Sequence, residues 1–321
     1  MSNQRVPRQA YCSEPHDLWS AVLFFAFALF SLLWPNTGMF CLFGGSIPRG
    51  YCVAFILGLS GTGALLFGLW DFSKAPKLVR LVRCFYPQAY FGPLFGEAIL
   101  LSSQPWGGPC HDGFFALIDG AVFGLQPSET LYRSFGQYPW CNELMFAAYF
   151  SFYLIMVLTP WIPWLRGDEK EGEREASILA GFICIVYIFY VFFRVVGPKH
   201  WLPDLVGLGY GGVPGGLFTL VEGRLLDDAV TTGAAFPSSH VAVTLMMTIF
   251  VAKTEPKLLP LYIVDLALIM MATVYLHAHW AADVVGGLVA AAILVPTLDR
   301  VRTIADVFAR RYTKTYASPR D

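Results

Sequence analysis

The chain has 321 residues, 56% hydrophobic, 16% aromatic and only 14% charged, with a formal net charge of −1 and a mean hydropathy of +0.54. Ordinary soluble domains carry roughly 25% charged residues, so the solvent of this chain is partly lipid. A near-neutral balance with no dense basic cluster gives nucleic-acid binding no footing.

Eight apolar stretches are long enough to cross a hydrocarbon core of ~30 Å and predict helices at 18–36, 50–71, 83–102, 143–164, 178–197, 237–252, 258–276 and 281–298. The first lacks a short apolar region followed by a small-residue cleavage site, so it reads as a retained anchor rather than a signal peptide. The sixth is short enough to begin partly outside the hydrocarbon. No heptads, internal repeats or low-complexity tracts appear. The expected fold is an all-α, polytopic integral membrane helix bundle of about eight transmembrane helices. It is read as one domain, 1–321, with core motifs at 190–290 and a cytoplasmic tail at 299–321.

Between the spans, GDEKEGEREAS (167–177) reads as a solvated loop, as mixed charge runs usually are. GLGYGGVPGG (207–216) has no lysine after it and no strand before it, which rules out a phosphate loop; it reads as a flexible lid or a spacer. Glu97 and Asp265 fall inside helices, as functional groups or as bonds to a neighbouring helix.

Cytoplasmic segments of membrane proteins are enriched in lysine and arginine. With the N-terminus inside, 17 of the 22 basic residues lie on the inner side and Arg49, Arg133, Lys199 and Arg224 on the outer, with Arg194 at a helix end. Both termini are therefore expected in the cytoplasm, and the membrane is expected to be a bacterial inner membrane. Segments 103–142 and 198–236 and the turn His277–Asp283 then share the outer face. Cys110 and Cys141, in one outer loop, are expected to pair there, with Cys41 as a rival partner.

This topology brings Lys199, Ser238, Ser239, His240, His277, His279 and Asp283 to one depth. In FPSSH, a proline and serines open a helix whose unpaired N–H groups and dipole attract anions, above all phosphate. The bland alternative is a plain N-cap beside an interfacial histidine. In HWAAD, His279 and Asp283 are four apart on one helical face, so the carboxylate can take one ring proton and free the other nitrogen as nucleophile or base. The alternative is a mutually satisfied pair at the membrane boundary, which is costly in lipid. In FFRVVGPKHW, Gly-Pro ends a helix and turns Lys199 inwards to neutralise phosphate oxygens; ordinary snorkelling is the alternative.

At these residues the chain resembles the type-2 phosphatidic acid phosphatase/haloperoxidase superfamily. Its membrane members show a basic first motif, a PSGH-like second motif and a third ending in H-x-x-x-D; here the counterparts are GPK at 197–199, FPSSH at 236–240 and HWAAD at 279–283. The wording is most similar to the branch with inositol phosphorylceramide synthases, and FYPQAYFGPLF and LIDGAVFGLQPSETL, which includes Asp119, look similar to upstream parts of that branch. The resemblance implies that His279 attacks phosphorus to form a phosphohistidine, with Asp283 orienting and charging its ring. His240 would protonate the leaving oxygen and later activate water or an alcohol. Lys199, Ser238 and Ser239 would hold the phosphate oxygens, and no metal or organic cofactor is required.

The chain departs from family phosphatases where Ala272 and Thr273 stand in place of Ser-Arg, and where His277 stands in place of an arginine two before the third-motif histidine. Fewer permanent cations favour transfer on a lipid phosphodiester, with His277 adding charge to the phosphate site when protonated. The expected activity is a lipid phosphatase/phosphotransferase acting on a phospholipid or sphingolipid at the outer face, with an inositol phosphorylceramide synthase-like headgroup transferase as the alternative. Two other classes stay open: a transporter with intramembrane ionisable groups, and a metal-dependent hydrolase built on His277, His279, Asp283 and His240.

Overall fold

The computed structural model describes residues 15–35, 39–42, 45–70, 72, 74–105, 110–206, 209–228 and 233–317. Arg5, Arg8 and Arg320, counted above for orientation, and the side chains of Cys41, Arg310, Arg311 and Lys314 lie outside the described residues. In chain order come α1 (Pro15–Leu33), an antiparallel hairpin of β1 (Met39–Leu42) and β2 (Gly45–Pro48), α2 (Arg49–Gly68), α3 (Lys77–Ser102), α4 (Asp112–Phe123) and α5 (Pro127–Phe135). They are followed by α6 (Pro139–Leu158), α7 (Trp161–Leu165), α8 (Glu169–Phe192), α9 (Pro198–Trp201), α10 (Leu217–Asp228), α11 (Ser239–Thr254), α12 (Leu259–Tyr275) and α13 (Ala281–Ala317).

The described residues are all-α apart from that short hairpin. Among the described residues, five helices are long and apolar enough to cross a membrane: α1, α2, α6, α8 and the Ala281–Ala305 part of α13. Of the other three expected spans, α11 and α12 are apolar but shorter. The third, 83–102, lies in α3, where Arg83, Gln88 and Glu97 dilute the apolar run.

Two further expectations change. Residues 169–177 are the opening turns of α8, because Asp168 accepts the Glu171 N–H at 3.1 Å as an N-cap and Arg174 pairs with Glu171 one turn on. The stretch 143–164 breaks at Thr159–Pro160 into α6 and α7.

The chain gathers into two compact units. One comprises residues 1–90, 176–184 and 295–321. In it, Arg83 grips Asp17 through two hydrogen bonds, at 2.9 and 2.5 Å, with Tyr86 donating to the same carboxylate at 3.0 Å. Both charges are buried, and a buried pair is tolerated only with its remaining hydrogen bonds filled. The other unit, 91–175 and 185–294, holds every candidate site residue. Its core includes the buried face of α6 (Met145, Phe146, Ala148, Tyr149) packed with Tyr210, Ala272, Tyr275 and Leu276.

Cys110 and Cys141 carry free thiols, which corrects the expected pair. Cys141 points into the α6 core cluster just described, while Cys110 lies beside Asp112 and Arg194. Asp265 does bond to a neighbouring helix, accepting from Ser151 of α6 at 2.8 Å. Glu97 is buried on α3.

Candidate active site

The second motif opens α11. Ser238 is its N-cap: the hydroxyl accepts the Val241 N–H at 3.4 Å, and its own N–H donates to the Asp283 carbonyl at 3.1 Å. Fully buried in that role, Ser238 is not among the residues lining the neighbouring cavity, whereas Ser239 and His240 are. The bland N-cap reading therefore describes Ser238. His240 is held between aromatic rings, with Phe152 and Tyr149 centroids 4.2 and 4.3 Å away, and neither of its ring nitrogens has a hydrogen-bond partner.

The third motif lies at the start of α13. His279 Nδ1 is 2.7 Å from the Ala235 carbonyl oxygen and 3.6 Å from Asp283 Oδ2. A carbonyl only accepts, so Nδ1 carries the proton and the lone pair of a neutral ring sits on Nε2. The expected orienter is thus joined by a backbone group that no motif could reveal. Asp283 Oδ2 accepts the Trp280 N–H at 2.8 Å, which fixes the turn from which His279 projects. The His279 and His240 rings face each other with centroids 5.7 Å apart.

His277 occupies the turn between α12 and α13 at φ 58°. Its Nδ1 meets the Ser128 hydroxyl at 2.7 Å, and Tyr132 packs edge-on at 4.9 Å. Burial first, and then the Lys199 charge, lower its pKa from 6.5 to about 4. That shift favours the neutral imidazole at pH 7.

In the first motif, Gly197 has φ 84°, and a Cβ there would come within 2.5 Å of the Ala278 carbonyl oxygen. Only glycine fits both conditions. Lys199 donates its backbone N–H to the His277 carbonyl at 3.0 Å, locking the first motif to the third. Its ammonium meets Asp227 at 3.1 Å and lies 4.0 Å from the centre of the Tyr210 ring.

These parts surround a cavity of about 140 Å³ lined by Lys199, Ser239, His240, His277 and His279, with Tyr149, Tyr153, Tyr210 and Glu222. Lys199 is the only lysine or arginine among the lining residues. His200 also lines it, with a pKa lowered by burial and by Lys199. Among the described residues, no three His, Cys, Asp or Glu side chains converge as a metal-holding group.

Most of the residues that brace this geometry come from segments read as loops. Asp112 accepts from Val196 N (2.8 Å), Gly197 N (2.8 Å) and Trp280 Nε1 (2.9 Å). Asp119, seven residues on and so on the same face of α4, accepts the first N–H groups of α13, Ala281 at 2.8 Å and Ala282 at 3.0 Å. Asn142 donates to the Pro214 carbonyl at 2.7 Å, and Glu143 accepts from Gly216, Phe218 and Thr219. Segment 209–216, expected as a lid or spacer, is thus fastened to α6; its Gly207 and Leu208 lie outside the described residues. A sequence signal for α5 does exist: Pro127 at the first helical position, followed by Ser-Glu.

Residues 118–297 match the family model of the PAP2 superfamily. The chain belongs to the PAP2 superfamily. All three motifs fall inside the matched range. No curated protein and no solved structure gives a match. With its apolar helices, this PAP2 superfamily member is an integral membrane protein of the phosphatase type.

Proposed function

We propose that the chain is a lipid phosphatase/phosphotransferase acting through a phosphohistidine on His279. One observation carries this reading: His279 lines the cavity with Nδ1 committed to the Ala235 carbonyl, which leaves Nε2 as the free lone pair opposite His240. In the first step, Nε2 forms a bond to phosphorus as the phosphorus–oxygen bond to the leaving group breaks, and a protonated His240 gives that oxygen its proton. In the second, His240 takes a proton from water or an alcohol, whose oxygen displaces the phosphoryl group from His279. Lys199, Ser239 and the N-terminus of α11 hold the phosphate oxygens, while Ser238 acts one step back as the cap that shapes that terminus. Asp283 steadies the imidazolium character of His279 as the bond forms. His277 is assigned a place beside the phosphate as a neutral hydrogen-bonding group.

The substrate in this reading is a phospholipid or sphingolipid reached from the bilayer, at the outer membrane face by the lysine and arginine bias. The wording of the motifs supports an acceptor alcohol, as in the inositol phosphorylceramide synthase-like branch, alongside water. The decisive experiment incubates purified protein with labelled phospholipids, with and without alcohol acceptors, for the wild type and His279→Ala. Turnover and an acid-labile phosphoenzyme in the wild type, both lost in the variant, are expected. Near-normal lipid turnover by His279→Ala would sink the mechanism.

A further inference from the structure

Glu222 has no place in the scheme above. It sits on α10, fully buried, and lines the cavity; its carboxyl group interacts with the Tyr153 hydroxyl, but neither oxygen has a hydrogen-bond partner of good geometry. A buried carboxyl group so weakly satisfied is costly. The one lysine of the cavity already faces Asp227 at 3.1 Å, so Glu222 is acidic capacity in excess. For a bare phosphate monoester that arrangement is adverse, because a second negative group would face the dianion. Around Glu222 stand Tyr149, Tyr153 and Tyr210, all lining the same cavity and all within its electrostatic reach. A carboxylate among aromatic rings is the chemistry that holds an organic ammonium ion.

We propose that the cavity takes a zwitterionic lipid headgroup, whose ammonium group is bound by Glu222 and the surrounding tyrosines while its phosphate meets Lys199 and His279. This rests on the phosphoryl-transfer reading for the phosphate end, and it names the substrate class: a phosphodiester lipid with a cationic headgroup. The single unpaired acid then finds its counter-ion in the substrate, and the net charge of the headgroup suits a cavity with one neutralised lysine. Burial raises the Glu222 pKa from 4.5 to about 7, so an arriving ammonium finds the group near half ionised and draws it to the carboxylate form.

The test is equilibrium binding of short-chain phosphatidylcholine and phosphatidylglycerol, two phosphodiesters that differ in the ammonium, to purified full-length protein carrying His279→Ala. Phosphatidylcholine should bind about 10-fold more tightly. Glu222→Gln in the same background should remove that preference through the phosphatidylcholine arm and leave phosphatidylglycerol within about twofold. Equal binding of the two lipids, or a preference untouched by Glu222→Gln, would overturn the assignment. If the glutamine protein does not fold, competition decides instead: tetramethylammonium should weaken phosphatidylcholine binding and spare phosphatidylglycerol, and failure to do so overturns the proposal. Failure of the phosphoryl-transfer reading shows separately, as lipid turnover retained by His279→Ala.

Discussion

At the scale of single residues, the position of one proton changes what Asp283 is worth. In a Ser-His-Asp triad, an Asp→Asn change costs about 10⁴ in rate because the wrong histidine tautomer results. Here the Ala235 carbonyl, at 2.7 Å, fixes the His279 tautomer without help from Asp283, which stands 3.6 Å away. Asp283→Asn should therefore slow turnover by about 10–100-fold rather than the triad's figure, measured as kcat on the preferred lipid. A loss of the full triad size would show that the carboxylate, and not the carbonyl, governs the ring. His277 gives a pH signature. Its folded pKa of about 4 lies below the unfolded 6.5, so the unfolded chain takes the proton first. Stability is then flat above pH 6.5 and falls as pH drops towards 4, by roughly 3 kcal/mol over the whole window. Thermal unfolding in detergent at pH 7.5 and 5 should show a smaller drop for His277→Gln than for the wild type.

At the scale of elements, the superfamily motifs were legible and their supports were not. His240, His279, Asp283 and Lys199 announce themselves because ionisable groups are conspicuous in apolar sequence. Short helices such as α4, α5 and α10, rich in glycine, proline and mixed polarity, offer no spanning-length signal and blend into what reads as loop. Asp112 and Asp119 are ordinary acidic residues until the fold shows both on one face of α4, each receiving backbone N–H groups from a different motif. Asp119→Ala should leave two N–H groups at the start of α13 unpaired and cost about 1–2 kcal/mol, with lowered kcat because His279 lies just before that helix start. A drop in thermal stability without any change in kcat would separate the cap from the site. Charge pattern misled at 167–177, where a mixed run proved to be helix: Asp168 caps it, and side chains three residues apart pair along it.

At the scale of the whole molecule, composition sufficed for the class: an all-α membrane protein, with five helices among the described residues long and apolar enough to span. Of the eight apolar runs read as spans, α11 and α12 have 16 and 17 residues and fall short of the length that marks the other five. The proposed orientation makes a direct forecast. A cysteine placed at Gly211 should react with a membrane-impermeant reagent in intact cells, and tags on both termini only after permeabilisation; the reverse pattern would invert the orientation. Gly197 has a consequence of another kind. With φ 84° and the Ala278 carbonyl 2.5 Å from any added Cβ, a Gly197→Ala chain meets strain at the point where Lys199 must turn into the cavity. The cell would register this as scarcity: misfolded copies go to membrane proteases, and steady-state abundance falls several-fold. A genetic screen scoring growth alone would then mark position 197 as catalytic, although the proposed chemistry belongs to His279 and His240 and the glycine only lets the chain be made.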